Sequence, residues 1–343
     1  MQVWIRRFAL LLLPLGFLAV MVAAPLLSLA FYDGEGAWAE VVADDYMRLR
    51  LGWTVAQAVL TCVLVTALGV PAAWVLARMD FAGRRTVLRL LMLPFVMPTL
   101  VAGMGVLALF GAHGMLAAGW QDTPWLLIYG NVFFNLPVLV RSAYQGFVRV
   151  PQARLLSAQS LGADAWRRFA WVEWPVVRAW VAGGACLVFL YCFSGFGLAL
   201  LLGGERFATV EVEIYRLVAY ELDMARASVL VWLVLAVTAA AGGLYAYWSR
   251  RVAVDKSVSP LSPRAPIWAW EKWLTATVLV MLAVCCLLPL AAVWLKAVSA
   301  GSSWAVLLEA QTWAAVWNTV RFSAAAVAAA TVLGVLYAAA ARQ

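Results

Sequence analysis

Charge and histidine are scarce in this chain. Asp, Glu, Lys and Arg make up only 12% of its 343 residues, and there is a single histidine. One histidine excludes most general-base dyads and every multi-histidine metal site. None of the lysines (Lys256, Lys272 and Lys296) follows a glycine, so the chain has no Gly-x-x-x-x-Gly-Lys-Ser/Thr phosphate-binding loop. These absences predict a chain that is not an enzyme and that needs no metal or cofactor.

The cysteines point in the same direction. There are five, and each lies inside a long apolar stretch, where a thiol acts as a small apolar side chain. We therefore predict neither a disulfide nor a metal site from them. They are Cys62, Cys186, Cys192, Cys285 and Cys286.

Apolar residues dominate the remainder. They form 66% of the chain, and the mean hydropathy is +0.90. A soluble domain cannot bury so much apolar surface, whereas a membrane helix needs about 20 apolar residues in a row. The sequence thus predicts an all-α polytopic membrane protein in contact with lipid. Eight candidate spans cover residues 8–31, 52–77, 87–111, 124–147, 178–202, 226–248, 270–297 and 315–341.

The distribution of charge predicts the orientation. With a cytoplasmic N-terminus, the arginine pairs 6–7, 84–85, 167–168 and 250–251 all fall on the cytoplasmic side, while most acids fall outside. Basic residues on inner loops orient insertion, so the net charge of +8 is a topology signal and not a nucleic-acid footprint. The first apolar run is longer than a signal-peptide core, which favours a retained helix over a cleaved leader.

Two parts of the chain resemble each other at an offset of 265 residues. Thr54-Val55 corresponds to Thr319-Val320, and Gly69-Val70 corresponds to Gly334-Val335. A fixed spacing suggests a duplicated transmembrane unit. We expect a first permease-like unit of six helices over 1–250, a cytoplasmic linker over 251–268, and the first two helices of an incomplete second unit over 269–343. On this view the sequence is a piece of a longer, fused protein.

A polar segment on the cytoplasmic side interrupts the apolar pattern. Pro151 can begin a helix, and Gln152 to Leu161 follow without a breaker. Gly162 permits a sharp turn, and Asp164 can cap the next helix. The spacing predicts a helix-turn-helix between two spans, which suits an external partner.

The second helix of this segment is predicted to be amphipathic. Trp166 and Phe169 fall on one apolar ridge, and Arg167 and Arg168 point elsewhere. A short amphipathic helix of this kind fits into a groove of another protein. Pro175 is predicted to end the element, just before the next span.

The segment resembles the signature of bacterial binding-protein-dependent ABC importer permeases, which reads Glu-Ala-Ala, three residues, Gly, nine residues, Ile-x-Leu-Pro. Ala158, Gly162, Val172 and Pro175 match at the spacing of that family. The departures are Leu156 for the Glu, Ser157 for the first Ala and Trp174 for the Leu.

The resemblance implies the fold and partners of a type I ABC importer permease in the bacterial inner membrane. Such a permease works with separate ABC ATPase subunits on the cytoplasmic side and with a periplasmic substrate-binding protein. In this family the element is a coupling helix that docks on the ATPase. The carry-over implies ATPase contact through Ala158, Gly162, Ala163, Asp164, Ala165, Trp166, Arg167, Arg168, Phe169 and Pro175.

A closer resemblance covers the whole first unit. It is similar to the thiamine transporter permeases, which are fused two-unit proteins, and this implies thiamine or its phosphates as substrate. The alternative is a ferric-iron importer permease, a related fused doublet. The resemblance is carried by the segments 129–137 (Tyr-Gly-Asn-Val-Phe-Phe-Asn-Leu-Pro), 160–162 (Ser-Leu-Gly), 172–175 (Val-Glu-Trp-Pro) and 214–215 (Ile-Tyr).

Four side chains within the spans are candidates for the translocation path. Asn131 and Asn135 share a helix face, Gln57 lies near the outer end of the second span, and Phe196 lies between two glycines. Each has an alternative role: the amides can hydrogen-bond between helices, and Phe196 can pack.

An ion-coupled secondary carrier is a further alternative for the whole chain. Such carriers bury acids near the membrane midplane, whereas every Asp and Glu here maps to a loop or a span end. The sequence therefore favours the importer permease.

Overall fold

The computed structural model describes residues 11–31, 36–117, 119–120, 123–251 and 262–342. Regular structure in these ranges is helical, apart from one isolated parallel bridge between Met79 and Arg264. The helices are α1 (Leu11–Leu29), α2 (Ala37–Ala43), α3 (Asp45–Arg78), α4 (Arg84–Val96), α5 (Thr99–Phe110), α6 (Pro124–Val148), α7 (Gln152–Ser160), α8 (Ala165–Phe193), α9 (Phe196–Leu202), α10 (Val210–Arg216), α11 (Met224–Arg250), α12 (Ala269–Val298) and α13 (Ala310–Arg342), with a 3-10 helix over Gly301–Leu308.

These helices confirm the all-α polytopic prediction. In the described part of the chain, seven are long and apolar enough to cross a bilayer, and the bent pair α4 and α5 makes an eighth span if counted as one. Of the predicted linker 251–268, residues 252–261 lie outside the described residues.

The chain forms two compact units, Trp38–Lys296 and a smaller one made of Met1–Ala37 with Ala297–Gln343. In the larger unit, α3, α6 and α8 pack around one another, α11 covers α8, and α12 lies against α3 and α6. The smaller unit contains the apolar helices α1 and α13, whose surfaces are largely exposed.

Small residues allow the three central helices to approach closely. A Cβ atom at Gly69 of α3 would lie 2.9 Å from Leu139 of α6, and one at Gly184 of α8 would lie 2.9 Å from Ser142 of α6. Lipid supplies no hydrophobic drive between helices, so such backbone approach is a main source of packing attraction. The result is a buried α6 at the centre of the larger unit.

Three prolines lie inside long helices, and each follows a single π-helical turn. The turns are Ala19–Ala23 before Pro25, Phe169–Glu173 before Pro175 and Ala283–Leu287 before Pro289. In each, the N–H just before the proline bonds to the carbonyl five residues back. The wider turn absorbs the missing proline donor and the ring clash, so the helix continues.

The prediction that Pro175 ends the polar element is therefore wrong. The helix begins at Ala165, passes through the π-turn and runs on to Phe193 as one continuous α8. The start of the amphipathic helix and the following span are thus one rod.

Two predicted spans also differ from the observed helices. The span predicted over 87–111 is bent by 104° between α4 and α5, because Met97 and Pro98 adopt extended backbone. The span predicted over 178–202 ends at Phe193, and α9 follows after a break at Ser194 and Gly195.

The helix pattern agrees with an internal duplication. The helices α3 and α13 begin 265 residues apart, at Asp45 and Ala310. The π-turns before Pro25 and Pro289 begin at Ala19 and Ala283, 264 residues apart, which is also the offset between the two prolines. The unit boundaries at 250 and 269 remain a prediction.

Close packing of α5 on α12 generates a testable prediction. A Cβ atom at Gly105 would lie 2.6 Å from the Pro289 carbonyl oxygen, so Gly105→Ala forces two backbones apart, at a cost of about 1–3 kcal/mol. Gly52→Ala is the matched control, because nothing lies within 4 Å of its Cβ position. Thermal unfolding in detergent should show a lower midpoint for Gly105→Ala alone; equal midpoints would contradict this packing.

Candidate functional site

The helix-turn-helix segment, defined here as residues 151–175, has the predicted geometry at its turn. Helix α7 begins after Pro151, and Gly162 adopts φ +79°, a left-handed conformation that favours glycine. The Ala163 N–H closes the turn on the Ala158 carbonyl at 3.0 Å. The Asp164 carboxylate accepts a bond of 2.7 Å from the Arg167 N–H and so caps α8, as predicted.

The turn presents a mixed apolar and charged surface. Leu161, Trp166 and Trp171 are 88%, 73% and 81% exposed, which is unusual for large apolar side chains and typical of interaction surfaces. Trp166 stacks on Phe169 with ring centroids 5.8 Å apart. Of the residues predicted to contact an ATPase, Gly162, Asp164, Ala165, Trp166, Arg167 and Pro175 are exposed, whereas Ala158, Ala163, Arg168 and Phe169 are partly buried.

A buried ion pair fixes this segment to the spans. Glu173 in α8 and Arg78 at the end of α3 are 4% and 5% exposed. The Arg78 Nε and Nη2 atoms each lie 2.8 Å from Glu173 Oε1, and Nη2 also donates to the Phe147 carbonyl of α6 at 3.1 Å. The Trp74 indole N–H donates to Glu173 Oε2 at 2.9 Å. Three helix ends are thus joined through one guanidinium.

A cavity of about 270 Å³ lies beside this ion pair. Leu155 and Phe169 of the helix-turn-helix segment line one side, and Trp270 and Glu271 of α12 line another. The wall is completed by the chain after the undescribed linker residues, where Arg264 and Met79 form the parallel bridge.

The wall formed by α12 has its own polar contacts. Trp270 stacks on Trp74 with centroids 6.3 Å apart. The buried Glu271 carboxylate accepts bonds from the Arg264 guanidinium at 2.5 and 3.2 Å and from the Ile267 N–H at 2.9 Å. These contacts hold the start of α12 at the cytoplasmic end of α3.

The predicted path amides form one hydrogen-bonded group, which we call the amide cluster (Gln57, Asn131, Asn135 and the Cys192 backbone). Gln57 of α3 donates to the Cys192 carbonyl of α8 at 2.9 Å and accepts from Asn131 of α6 at 2.8 Å. Asn135 donates to the Asn131 carbonyl at 2.9 Å, and its own Oδ1 is buried without a partner. All three side chains are at most 3% exposed, so in this structure they bond helices together.

Phe196 occupies a different place. It begins α9, is partly buried, and meets Tyr215 edge-on with centroids 5.4 Å apart. Tyr215 in turn meets the exposed Tyr220 at 5.8 Å. The structure therefore separates Phe196 from the hydrogen bonds of the amide cluster.

The sequence indicated the turn and the amides but missed Trp74, Arg78 and Glu173. The only available signals were an arginine at a span end and a glutamate just before Pro175, which are 95 residues apart. Among the residues that the structure describes, no group of three or more His, Cys, Asp or Glu side chains is placed to hold a metal ion.

Solved structures identify the architecture. The chain aligns with the crystal structure of a bacterial alginate ABC transporter in complex with an alginate pentasaccharide-bound periplasmic protein. The TM-score is 0.60 at 16% identity, over 71% of this chain and 94% of that one. The fold is that of a type I ABC importer permease.

A family model places the chain more closely. Residues 66–254 match the binding-protein-dependent transport system inner membrane component, and the chain belongs to this family of multi-pass membrane proteins. The match includes the whole helix-turn-helix segment and the last two residues of the amide cluster on α6.

Curated relatives share a longer stretch. The chain is 32% identical to the thiamine transport system permease protein ThiP of Salmonella typhimurium over 322 residues, which is 90% of this chain and 58% of that protein. It is 35% identical to ThiP of Brucella abortus over 239 residues, 66% of this chain and 44% of that protein. The chain thus spans less than two thirds of the length of these relatives.

The amide cluster generates a second prediction. Gln57→Leu leaves the Asn131 amide and the Cys192 carbonyl unpaired, which should cost about 1–3 kcal/mol. Adding Asn131→Leu removes one orphaned group and should recover part of the loss. Thermal unfolding of the two single variants and the double variant measures the coupling; additive losses would contradict the hydrogen bond between Gln57 and Asn131.

Proposed function

We propose that this chain is the permease of an ATP-driven ABC importer that moves thiamine or its phosphates across the bacterial inner membrane. The observation that carries the proposal is the exposed helix-turn-helix around Gly162, at the spacing of the importer signature. The thiamine permeases among its relatives support the substrate. No described contact favours the ferric-iron alternative.

The proposed contact with the ATPase is the surface from Gly162 to Phe169. Trp166 supplies an exposed aromatic anchor, and Arg167 supplies an exposed charge beside it. An aromatic and an arginine at the centre of an apolar patch are typical of protein interfaces. Hydrolysis of ATP by separate subunits would then push on the start of α8.

The remaining parts of the proposal follow the same orientation. The N-terminus is cytoplasmic, a periplasmic binding protein delivers substrate to the outer side, and residues 1–250 form one permease unit with 269–343 beginning a second. The path residues proposed from the sequence are Gln57, Asn131, Asn135 and Phe196. The buried hydrogen bonds of the amides require that the three central helices separate before substrate reaches them.

The turn yields a prediction about coupling. Gly162→Val should strain the left-handed backbone by about 1–3 kcal/mol and shift the helix-turn-helix, so ATP-driven uptake falls while the spans stay folded. Gly162→Asn is the matched control, because asparagine tolerates this conformation. Uptake and ATP hydrolysis in proteoliposomes are the measurements. Normal uptake by Gly162→Val would contradict the coupling role.

The substrate is tested by transport. The complete gene that encodes this chain, expressed with its ATPase and binding protein in a strain lacking a thiamine permease, should restore ATP-dependent uptake of radiolabelled thiamine. Unlabelled thiamine should compete, and ferric iron should not. Restored ferric-iron uptake without thiamine uptake would keep the importer mechanism and replace the substrate.

A further inference from the structure

The cytoplasmic ends of three spans meet at one polar contact, which we call the cytoplasmic clamp (Trp74, Arg78, Glu173 and the Phe147 carbonyl). Arg78 belongs to α3, Glu173 to α8 and Phe147 to α6. Glu173 lies only a few residues after the exposed turn, inside the helix that begins at Ala165. Any displacement of the start of α8 therefore reaches the ends of α3 and α6 through one side chain.

The same three helices meet again at the amide cluster. Gln57 lies on α3, Asn131 on α6 and Cys192 on α8. At about 1.5 Å per residue, the two contacts are roughly 25–30 Å apart along each helix, which is close to the thickness of the membrane core. Polar contacts therefore join these spans near both faces of the membrane.

The packing between the two contacts is apolar and close. Gly69 and Gly184 allow α6 to approach both neighbours, and the largest side chains there, Phe133 and Phe147, are fully buried. Apolar surfaces in lipid resist sliding weakly, because the surrounding tails are equally apolar. Hydrogen bonds and an ion pair at both ends fix the register that apolar packing leaves free.

From this arrangement we propose that α3, α6 and α8 form one rigid lever, in which Arg78 and Glu173 are positioning residues that carry movement of the helix-turn-helix segment to the amide cluster. That the segment is moved by an ATPase rests on the function proposed above. The rigidity of the lever does not, because it is a property of this chain alone.

Stability by itself does not explain a buried pair of this kind. Moving two charges out of water costs several kcal/mol per ion, and an apolar pair of similar volume is often as stable. What an apolar pair cannot supply is the directed bonding of one guanidinium to a carboxylate and a carbonyl on two other helices. The geometry therefore points to a role in positioning.

A distance measurement tests the lever without any partner. Spin labels are introduced through an unnatural amino acid at the exposed positions Leu49 on α3 and Trp166 on α8 of the purified chain in nanodiscs. The intact clamp should give a narrow distance distribution, and Glu173→Gln should widen it about twofold by freeing the helix ends. An equally narrow distribution in Glu173→Gln would overturn the proposal.

Two further variants guard against a trivial unfolding effect. Glu271→Gln is the matched control, since Glu271 is also buried and paired with an arginine, yet both partners lie within residues 264–271 and join no two spans; its distribution should stay narrow. The double variant Arg78→Met/Glu173→Leu should keep the thermal midpoint but still widen the distribution. If it is as narrow as the unmodified chain, packing alone sets the register and the proposal fails.

Transport then separates this proposal from the proposed function. In proteoliposomes with ATPase and binding protein, Glu173→Gln should lower the ratio of thiamine uptake to ATP hydrolysis about tenfold, a usual size for coupling between sites. A ratio unchanged in Glu173→Gln would overturn the positioning role. Absence of thiamine uptake by the unmodified protein would refute the substrate, while the distance measurement would still decide the lever.

Discussion

The geometry of the cytoplasmic side depends on one buried guanidinium. Arg78 is 5% exposed and lies at the end of a 34-residue helix, where an unpaired charge would be expensive. Glu173 and the Phe147 carbonyl satisfy it, and Trp74 satisfies the second carboxylate oxygen. Because each group requires the others, the ends of α3, α6 and α8 can occupy few arrangements. The exposed turn around Gly162 is held in place by this constraint.

The prolines explain how one helix serves two environments. A proline in a regular helix would break it at the boundary between water and lipid. The π-turn before Pro175 widens one turn instead, so α8 carries an exposed amphipathic start and an apolar span on a single axis. The same device precedes Pro25 and Pro289. Its recurrence at the repeat offset indicates that the duplicated pattern includes the backbone irregularity as well as the apolar residues.

Local features of this fold could be predicted from the sequence, and distant pairings could not. Gly162 and Asp164 act through their own backbone and the next few residues, so their roles follow from residue type and spacing. Arg78 and Glu173 are 95 residues apart, and no local pattern relates them. Pro175 misled the prediction because proline usually ends a helix, and the π-turn that accommodates it has no signature that a single sequence reveals.

The amide cluster shows why a polar face in a membrane helix has two readings until its partners are known. The four-residue spacing of Asn131 and Asn135 predicts only that both face protein, because lipid cannot satisfy an amide. Gln57 and the Cys192 carbonyl then consume the donors of these amides inside the bundle. Asn135 Oδ1 stays buried without a partner, so the cluster is held by directed bonds yet is not fully satisfied. A polar group in that condition favours any rearrangement that gives it a partner, which makes this the point where the packed helices have most to gain by separating.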